Sequence, residues 1–213
     1  MAGLAASLLT LGGGVLAERA RLGASDEAAV VRVRDELTRR FSDTARSLGD
    51  VVARAQADPA LLARASRDTD ALRALFQSLS TSLAGAPAGS AGVTVYASGA
   101  APLAWAGRAS DLPRERIDGP RALFIVLDAL GPRLVMVQPV LDRTRPAAPR
   151  ASTVVAEALL NERTDVSASV SESFRLSTSV VDVAVRAMTE TVAFQADAPY
   201  RFVIRSADGQ SLA

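Results

Sequence analysis

The chain has 213 residues, of which 49% are hydrophobic and 22% charged, so it can bury a core and does not have the composition of a disordered protein. Its 24 basic and 23 acidic residues give a formal net charge of +1, which favours no nucleic-acid partner. Because cysteine and histidine are both absent, we expect no metal or cofactor and no catalytic residue of the Cys-nucleophile or Ser-His-Asp classes.

The N-terminal stretch Ala2–Ala17 is uncharged and mostly apolar. It is shorter than the roughly 20 residues of a spanning helix, and no Lys or Arg precedes it as in a signal peptide. We interpret residues 1–17 as the outer part of a membrane anchor whose upstream portion lies outside this chain. The alternative interpretation is a buried or frayed N-terminal helix.

The longest periodic segment runs from Asp26 to Gln56, with apolar residues every three or four positions. This spacing predicts a long amphipathic helix over about 26–56, within a helical region of residues 18–83. Such a helix extends ~45 Å, enough to link a membrane to a domain. A plain core helix is the alternative, and the stripe can also serve both roles, packing half against a sheet and half against a second copy. We therefore expect a homodimer whose helix interface includes Val33, Leu37, Phe41 and Leu48.

Two shorter helices are predicted next. Asp58 can cap a helix that starts at Pro59, and Asp68 can cap a second one through Leu83. The following residues 84–91 are rich in Gly, Pro, Ser and Ala, which marks the change from helix to strand periodicity.

The stretch Gly92–Arg108 has the pattern of a β-hairpin, since two apolar runs flank the turn residues 98–102. Three later segments, 122–127, 133–141 and 152–160, are apolar runs that predict further strands, after a short helix ending near Ile117. The fold class is therefore α+β, with a long N-terminal helix and short helices packed on a five-stranded antiparallel sheet formed by residues 84–162. Because these runs alternate little, both faces of the sheet should be covered.

The remaining residues 163–213 give a weaker pattern. The stretch Tyr200–Ala213 has a strand, an Asp-Gly turn and the start of a returning strand, which resembles the first hairpin. We expect a second, similar sheet unit to begin here and to be truncated by the end of the chain.

In this order, the apolar N-terminus, the long helix, the hairpin "VTVYASGAAPLAWAG" and the strands "RLVMVQPVLD" and "STVVAEALL" resemble the extracytoplasmic sensor region of bacterial membrane-bound sensor histidine kinases, of the Cache or PAS-like type. The resemblance covers most of residues 1–162. It implies a PAS-like sheet with a ligand pocket on one face, and a location at the bacterial inner or cell membrane with the domain facing the periplasm or exterior. No phosphoacceptor histidine or Gly-rich ATP-binding segment is present, so a kinase would be a separate module.

The candidate ligand-binding residues lie in and beside the predicted strands. An arginine between the second and third strands can fork onto a carboxylate or phosphate, so an anionic small molecule is a candidate ligand. An exposed surface arginine and a buried core tryptophan are the alternatives at these positions. The candidates are Arg108, Arg121, Trp105, Tyr96, Arg133 and Gln138.

Two functions from different classes follow. The first is a ligand-sensing input domain of a membrane receptor, in which the long helix passes the effect of binding to a cytoplasmic kinase outside this chain. The second is a membrane-tethered dimerisation or scaffolding module that binds no ligand. We do not expect an enzyme, because the chain has few residues that could act as a catalytic nucleophile or base and contains no cysteine or histidine.

Overall fold

The structure is a computed structural model that describes residues 25–86, 89–108, 111–128, 131–142, 149–161, 173–187, 200–209 and 211–213. The predicted membrane anchor at residues 1–17 lies outside the described residues. Within the described part of the chain, no helix combines the length and the apolarity that crossing a membrane requires.

Three helices precede the sheet, and their starts follow the predicted capping residues. Helix α1 spans Asp26–Ala55, and its N-cap Ser25 accepts a hydrogen bond from the Ala28 amide at 3.3 Å. Helix α2 spans Pro59–Ala65, where the Asp58 carboxylate accepts from the Leu61 amide at 2.9 Å. Helix α3 spans Thr69–Ser82, and the Asp68 carboxylate caps its first turn. The long helix and the two shorter helices are thus where the periodicity predicted them.

Five antiparallel strands form the main sheet, which confirms that part of the predicted fold class. They are β1 (Ala91–Ala97), β2 (Pro102–Gly107), β3 (Ala122–Asp128), β4 (Gly131–Leu141) and β5 (Arg150–Leu159), arranged in the order β2-β1-β5-β4-β3. Strands β2 and β3 lie at opposite edges. The chain between them, residues 108–121, must therefore cross the sheet, and it includes the short helix α4 (Arg114–Ile117). We call residues 108–121 the crossover segment; residues 109–110 lie outside the described part.

Each face of the sheet has its own apolar cluster, because successive side chains of a strand point to opposite faces. Val93 and Val95 belong to the cluster that also contains the buried residues of α1 and α3, whereas Tyr96 belongs to the other cluster. Leu112 and Ile117 of the crossover segment are buried in this second cluster. The helices therefore cover one face and the crossover segment covers the other, as the weak alternation of the strands predicted.

The apolar stripe of α1 lies inside the core of its own chain. Val33, Leu37, Phe41 and Leu48 are exposed by only 5%, 1%, 1% and 2%, and they pack in the cluster on the helical face of the sheet. Side chains buried to this degree cannot contact a second copy while the chain stays folded. The predicted helix interface is therefore corrected: these four residues form intramolecular contacts, because the sheet, α3 and the described C-terminal residues share their cluster.

The described C-terminal residues pack on this same core. Strands β6 (Ser173–Ser177) and β7 (Asp182–Arg186) pair antiparallel in a small separate sheet, and a single bridge joins Arg205 to Ser211. The buried side chains of this region belong to the cluster of α1; they are Leu176, Val185, Ile204 and Leu212. That residues 163–213 begin a second sheet unit stays a prediction.

Polar contacts also tie this C-terminal region to α1. The Glu36 carboxylate accepts hydrogen bonds from the Ser179 amide at 3.0 and 3.1 Å and from the Ser179 hydroxyl at 2.5 Å. These bonds from Ser179 lower the pKa of Glu36 below its usual 4.5. The Tyr200 hydroxyl lies 3.3 Å from a carboxylate oxygen of Asp26.

Candidate functional site

The crossover segment leaves strand β2 by a sharp turn that two glycines permit. Gly107 has a φ of 70°, which is costly for any residue with a side chain. A Cβ atom at Gly92, which pairs with Gly107 across the β1–β2 ladder, would lie 1.6 Å from the Arg108 carbonyl oxygen. The backbone at Arg108 therefore passes directly over Gly92, and this close approach brings the crossover segment onto the second face of the sheet.

A buried ion pair lies on this second face. Arg133 Nε is 2.9 Å from Glu157 Oε2, and the two side chains are 0% and 2% exposed. The register explains the contact: Glu157 of β5 pairs with Val135 of β4, and Arg133 lies two residues before Val135 on the same face. A charge buried this deeply needs a partner, because burial in a low-dielectric interior costs several kcal/mol per ion.

The guanidinium of Arg133 has further donors besides the one that faces Glu157. Its Nη2 donates to the Arg108 carbonyl oxygen at 3.2 Å, so it also holds the start of the crossover segment. Its Nη1 is buried and has no hydrogen-bond partner among the described residues. A buried donor without an acceptor costs about 1–3 kcal/mol, so an acceptor oxygen next to this atom would be stabilising.

Tyr96 and Thr94 lie beside the ion pair on β1. Thr94 is 3% exposed and Tyr96 is 8% exposed, and alternation places both on the second face. Burial raises the pKa of the Tyr96 hydroxyl above its usual 10.0, and the negative charges of Glu157 and Asp111 add to the effect. Two hydroxyls, a guanidinium and a carboxylate are thus gathered beneath the crossover segment.

The far end of the crossover segment is held by a second arginine. Arg150 at the start of β5 donates from Nη1 to the Ile117 carbonyl oxygen at 2.8 Å and from Nη2 to the Gly119 carbonyl oxygen at 2.6 Å. The Thr153 hydroxyl also donates to the Ile117 oxygen at 3.2 Å. These bonds satisfy carbonyl groups at the C-terminus of α4 that have no partner within the helix.

Of the six residues predicted from sequence, the structure brings two together on the second face, Tyr96 and Arg133. Arg108 contributes its backbone carbonyl there, while its side chain is exposed. Arg121 is exposed just before β3.

Gln138 and Trp105 do not join the cluster. Gln138 alternates with Val137, which lies on the second face, so it belongs to the helical face, where its Nε2 donates to the Pro139 oxygen at 3.1 Å. Trp105 is 52% exposed on the edge strand β2, and its ring meets Phe76 of α3 edge to face at 5.3 Å. Strand alternation separates Gln138 from the site. Trp105 pairs with Thr94 across the β1–β2 ladder, but its ring is half exposed at the edge of the sheet and contacts Phe76 of α3.

Three residues of the site were not among the predicted ones: Glu157, Thr94 and Arg150. The available signal was Glu157, the only charged residue in the run "STVVAEALL". A lone carboxylate in a strand covered on both faces requires a buried cation, and Arg133 opens the apolar run that pairs with it.

A groove of about 230 Å³ lies elsewhere, between α2, the β1–β2 turn and the start of β5. Arg67, Ser98 and Arg150 are among its lining residues, and it includes none of the six predicted from sequence. The described residues contain no cluster of three or more acidic side chains that could hold a metal ion.

No family model, no curated protein and no solved structure matches this chain.

Proposed function

We propose that this chain is a ligand-sensing input domain of a bacterial membrane receptor, of the Cache or PAS-like type, and that its ligand binds on the second face of the sheet beneath the crossover segment. The domain would lie outside the cell membrane and act on a cytoplasmic kinase in another module. The observation that carries the proposal is the buried Arg133–Glu157 pair, whose arginine has a donor, Nη1, without a hydrogen-bond partner among the described residues.

This pair is not explained by stability alone. Replacing a buried ion pair with apolar residues is often neutral or stabilising, because desolvation of the charges offsets their attraction. Binding pockets, in contrast, combine apolar walls with a few polar groups that orient the ligand. The second face has this composition: Val135, Val137 and Val155 form the wall, and the buried pair supplies the polar groups.

The ligand chemistry follows from the unused donor. Arg133 Nη1 requires an acceptor oxygen, and a carboxylate or phosphate offers the strongest one. The buried Tyr96 and Thr94 hydroxyls lie on the same face as further polar contacts. The proposed ligand is therefore a small polar molecule with at least one acceptor oxygen, a carboxylate or phosphate being the first candidate.

A short chain of hydrogen bonds connects this site with α1. The Leu160 amide donates to the Pro132 carbonyl oxygen at 2.8 Å, directly before Arg133, and the Leu160 carbonyl oxygen accepts from Arg40 Nη2 of α1 at 2.5 Å. A ligand that moves Arg133 relative to Glu157 would displace the start of β4 relative to the end of β5. Arg40, which is bonded to Leu160 just after β5, would transmit that displacement to α1. Such a small movement between packed elements is a common route of signal transfer.

The alternative of a ligand-free dimerisation module loses its main support, because the stripe on which it relied is buried in the chain itself. A homodimer, if formed, would use another surface.

A thermal-shift screen with amino acids, organic acids and nucleosides tests the proposal. At a ligand concentration of 100 times Kd, binding adds about 2.7 kcal/mol, which raises the Tm of a chain of this size by about 5–10 °C. The test variant is Arg133→Lys, which keeps the positive charge beside Glu157 and removes the Nη1 donor; the control is Arg121→Lys, whose side chain is exposed.

We expect at least one compound to shift the wild type and the control, and to shift the Arg133→Lys variant much less. The proposal fails if no compound shifts the wild type, or if the Arg133→Lys variant responds as the wild type does.

A further inference from the structure

The groove between α2, the β1–β2 turn and the start of β5 lies at one end of the main sheet. Backbone contacts and burial hold its walls: Ala97 pairs with Ser152 across the β1–β5 ladder, and the Asp142 amide donates to the Pro149 carbonyl oxygen at 2.8 Å. On the α2 side, Leu62 is anchored in the core at 3% exposure. The groove is thus preformed, as small-molecule sites usually are.

This end of the sheet is remote from the Arg133–Glu157 pair. Glu157 follows Arg150 by seven residues on β5, a separation of ~23 Å along the strand at about 3.3 Å per residue. The described residues that line the groove include neither member of the pair. A molecule in the groove therefore occupies a place separate from that of a ligand on the second face.

The polar part of the lining carries positive charge and free donors. Arg67 is exposed, and its side chain makes no hydrogen bond or ion pair with another described residue; the same holds for the hydroxyls of Ser66 and Ser98. Arg150 donates to two carbonyl oxygens and a hydroxyl, so these partners leave its charge uncancelled. Asp142 is the one acidic residue among the described lining residues, so two positive charges face one negative charge.

The remaining lining residues are apolar, with Leu62 and Leu103 as the largest. The volume of about 230 Å³ is below the roughly 300–1,000 Å³ of pockets for drug-sized molecules. The groove therefore suits a small molecule that combines a short hydrocarbon part with an anionic acceptor group.

We propose that this groove is a second ligand site, which binds a small organic anion: a carboxylate that carries a hydrocarbon chain of a few carbons. Guanidinium groups bind carboxylates through two parallel hydrogen bonds, and the free side chain of Arg67 has both donors available. Ser66 and Ser98 supply further donors, and the hydrocarbon chain lies against Leu62 and Leu103. This site goes beyond the proposed function and does not depend on it.

An NMR titration of the ¹⁵N-labelled chain with butyrate, at constant ionic strength, tests the site because the amide shifts locate the bound molecule. We expect the amides of Ser66, Ser98 and Ala151 to shift along one saturation curve, with a Kd in the millimolar range or tighter. If these amides do not shift, or shift without saturation, the proposal is overturned. Shifts confined to the surroundings of Glu157 also overturn it, although they support the proposed function.

Two further probes separate the charge of the ligand from its shape. Butyramide has the shape of butyrate without its charge, so it should bind at least about tenfold more weakly. Inorganic phosphate has charge but no hydrocarbon chain, so it should also bind more weakly than butyrate. Equal binding of butyramide, or tighter binding of phosphate, contradicts the assignment of an organic anion.

The test variant is Arg67→Gln, and the matched control is Arg64→Gln. Both arginines are exposed, so neither change should unfold the chain, but only Arg67 lines the groove. We expect Arg67→Gln to weaken butyrate binding at least about tenfold and Arg64→Gln to change it less than about twofold. Equal effects of the two variants would mean unspecific attraction by surface charge and would overturn the proposal. Arg133→Lys should leave the shifts in the groove unchanged, so the two ligand sites can fail separately.

Discussion

Removing one charge of the buried Arg133–Glu157 pair is the perturbation whose effect the structure specifies most closely. Glu157→Gln keeps the size and shape of the side chain and leaves the Arg133 guanidinium without its counterion at 0% exposure. Breaking a buried pair in this way costs about 3–5 kcal/mol, because the remaining charge stays desolvated. A folded chain has about 5–15 kcal/mol of stability in total, so this loss is about 30–50% of a mid-range stability of ~10 kcal/mol.

The matched control is an exposed pair with a shorter contact. Arg46 Nη1 lies 2.6 Å from Asp43 Oδ1, and both side chains are more than two-thirds exposed, at 69% and 68%. Because water and salt screen such a pair, Asp43→Asn should cost less than about 1 kcal/mol. Distance alone would predict the reverse order of the two variants, so the comparison isolates the effect of burial.

Urea unfolding followed by circular dichroism measures both costs. With a slope of about 2 kcal/mol per molar urea, Glu157→Gln should move the midpoint down by roughly 2 M, and Asp43→Asn by less than about 0.5 M. The double variant Arg133→Met/Glu157→Met removes both charges and should be more stable than either single Met variant. Equal costs for Glu157→Gln and Asp43→Asn, or a double variant whose cost equals the sum of the singles, would refute the reasoning.

Three further predictions concern single side chains. Because burial raises the pKa of Tyr96, folding stability should fall as the pH rises above about 10, the pKa of a tyrosine in the unfolded chain. In the Tyr200→Phe variant Tyr96 is the only tyrosine left, and its absorbance titration at 295 nm should have a midpoint above 10. The pKa of Glu36 is lowered, so the stability it contributes is present above pH 4.5 and is lost as the pH falls through its folded pKa; Glu36→Gln should flatten that part of a pH–stability curve, and an unchanged acid slope would count against the contact. Leu37→Ala should cost about 2–5 kcal/mol in urea unfolding because Leu37 is 1% exposed, whereas Trp105→Ala, at 52% exposure, should cost clearly less; similar costs would contradict the burial of the α1 stripe.

Local patterns in the sequence accounted for the elements. The spacing of apolar residues in α1 and the capping residues Asp58 and Asp68 placed three helices almost to the residue. The turn chemistry between Ala97 and Pro102 placed the first hairpin. These signals were sufficient because a helix or a hairpin is formed by residues that are close in sequence, whose preferences can be read without knowing their distant neighbours.

Local patterns could not show which element packs against each face of a helix or strand. The stripe of α1 is equally suited to a second copy or to a sheet, and only the packed chain shows that the sheet occupies it. Gln138 and Arg133 lie five residues apart on β4, so alternation puts them on opposite faces, but only the topology shows which of these faces the crossover segment covers.

By itself, then, the sequence determined the fold class, the order of helices and strands, and the absence of histidine and cysteine chemistry. Tertiary structure decided which arginine matters. Arg133 lies 25 residues from Arg108 and 24 from Glu157. It meets Glu157 because β4 pairs with β5, and it meets Arg108 because β2 and β3 lie at opposite edges, which forces the connecting chain across the same face. Contacts at this separation depend on topology, and topology is a property of the whole chain that no local pattern contains.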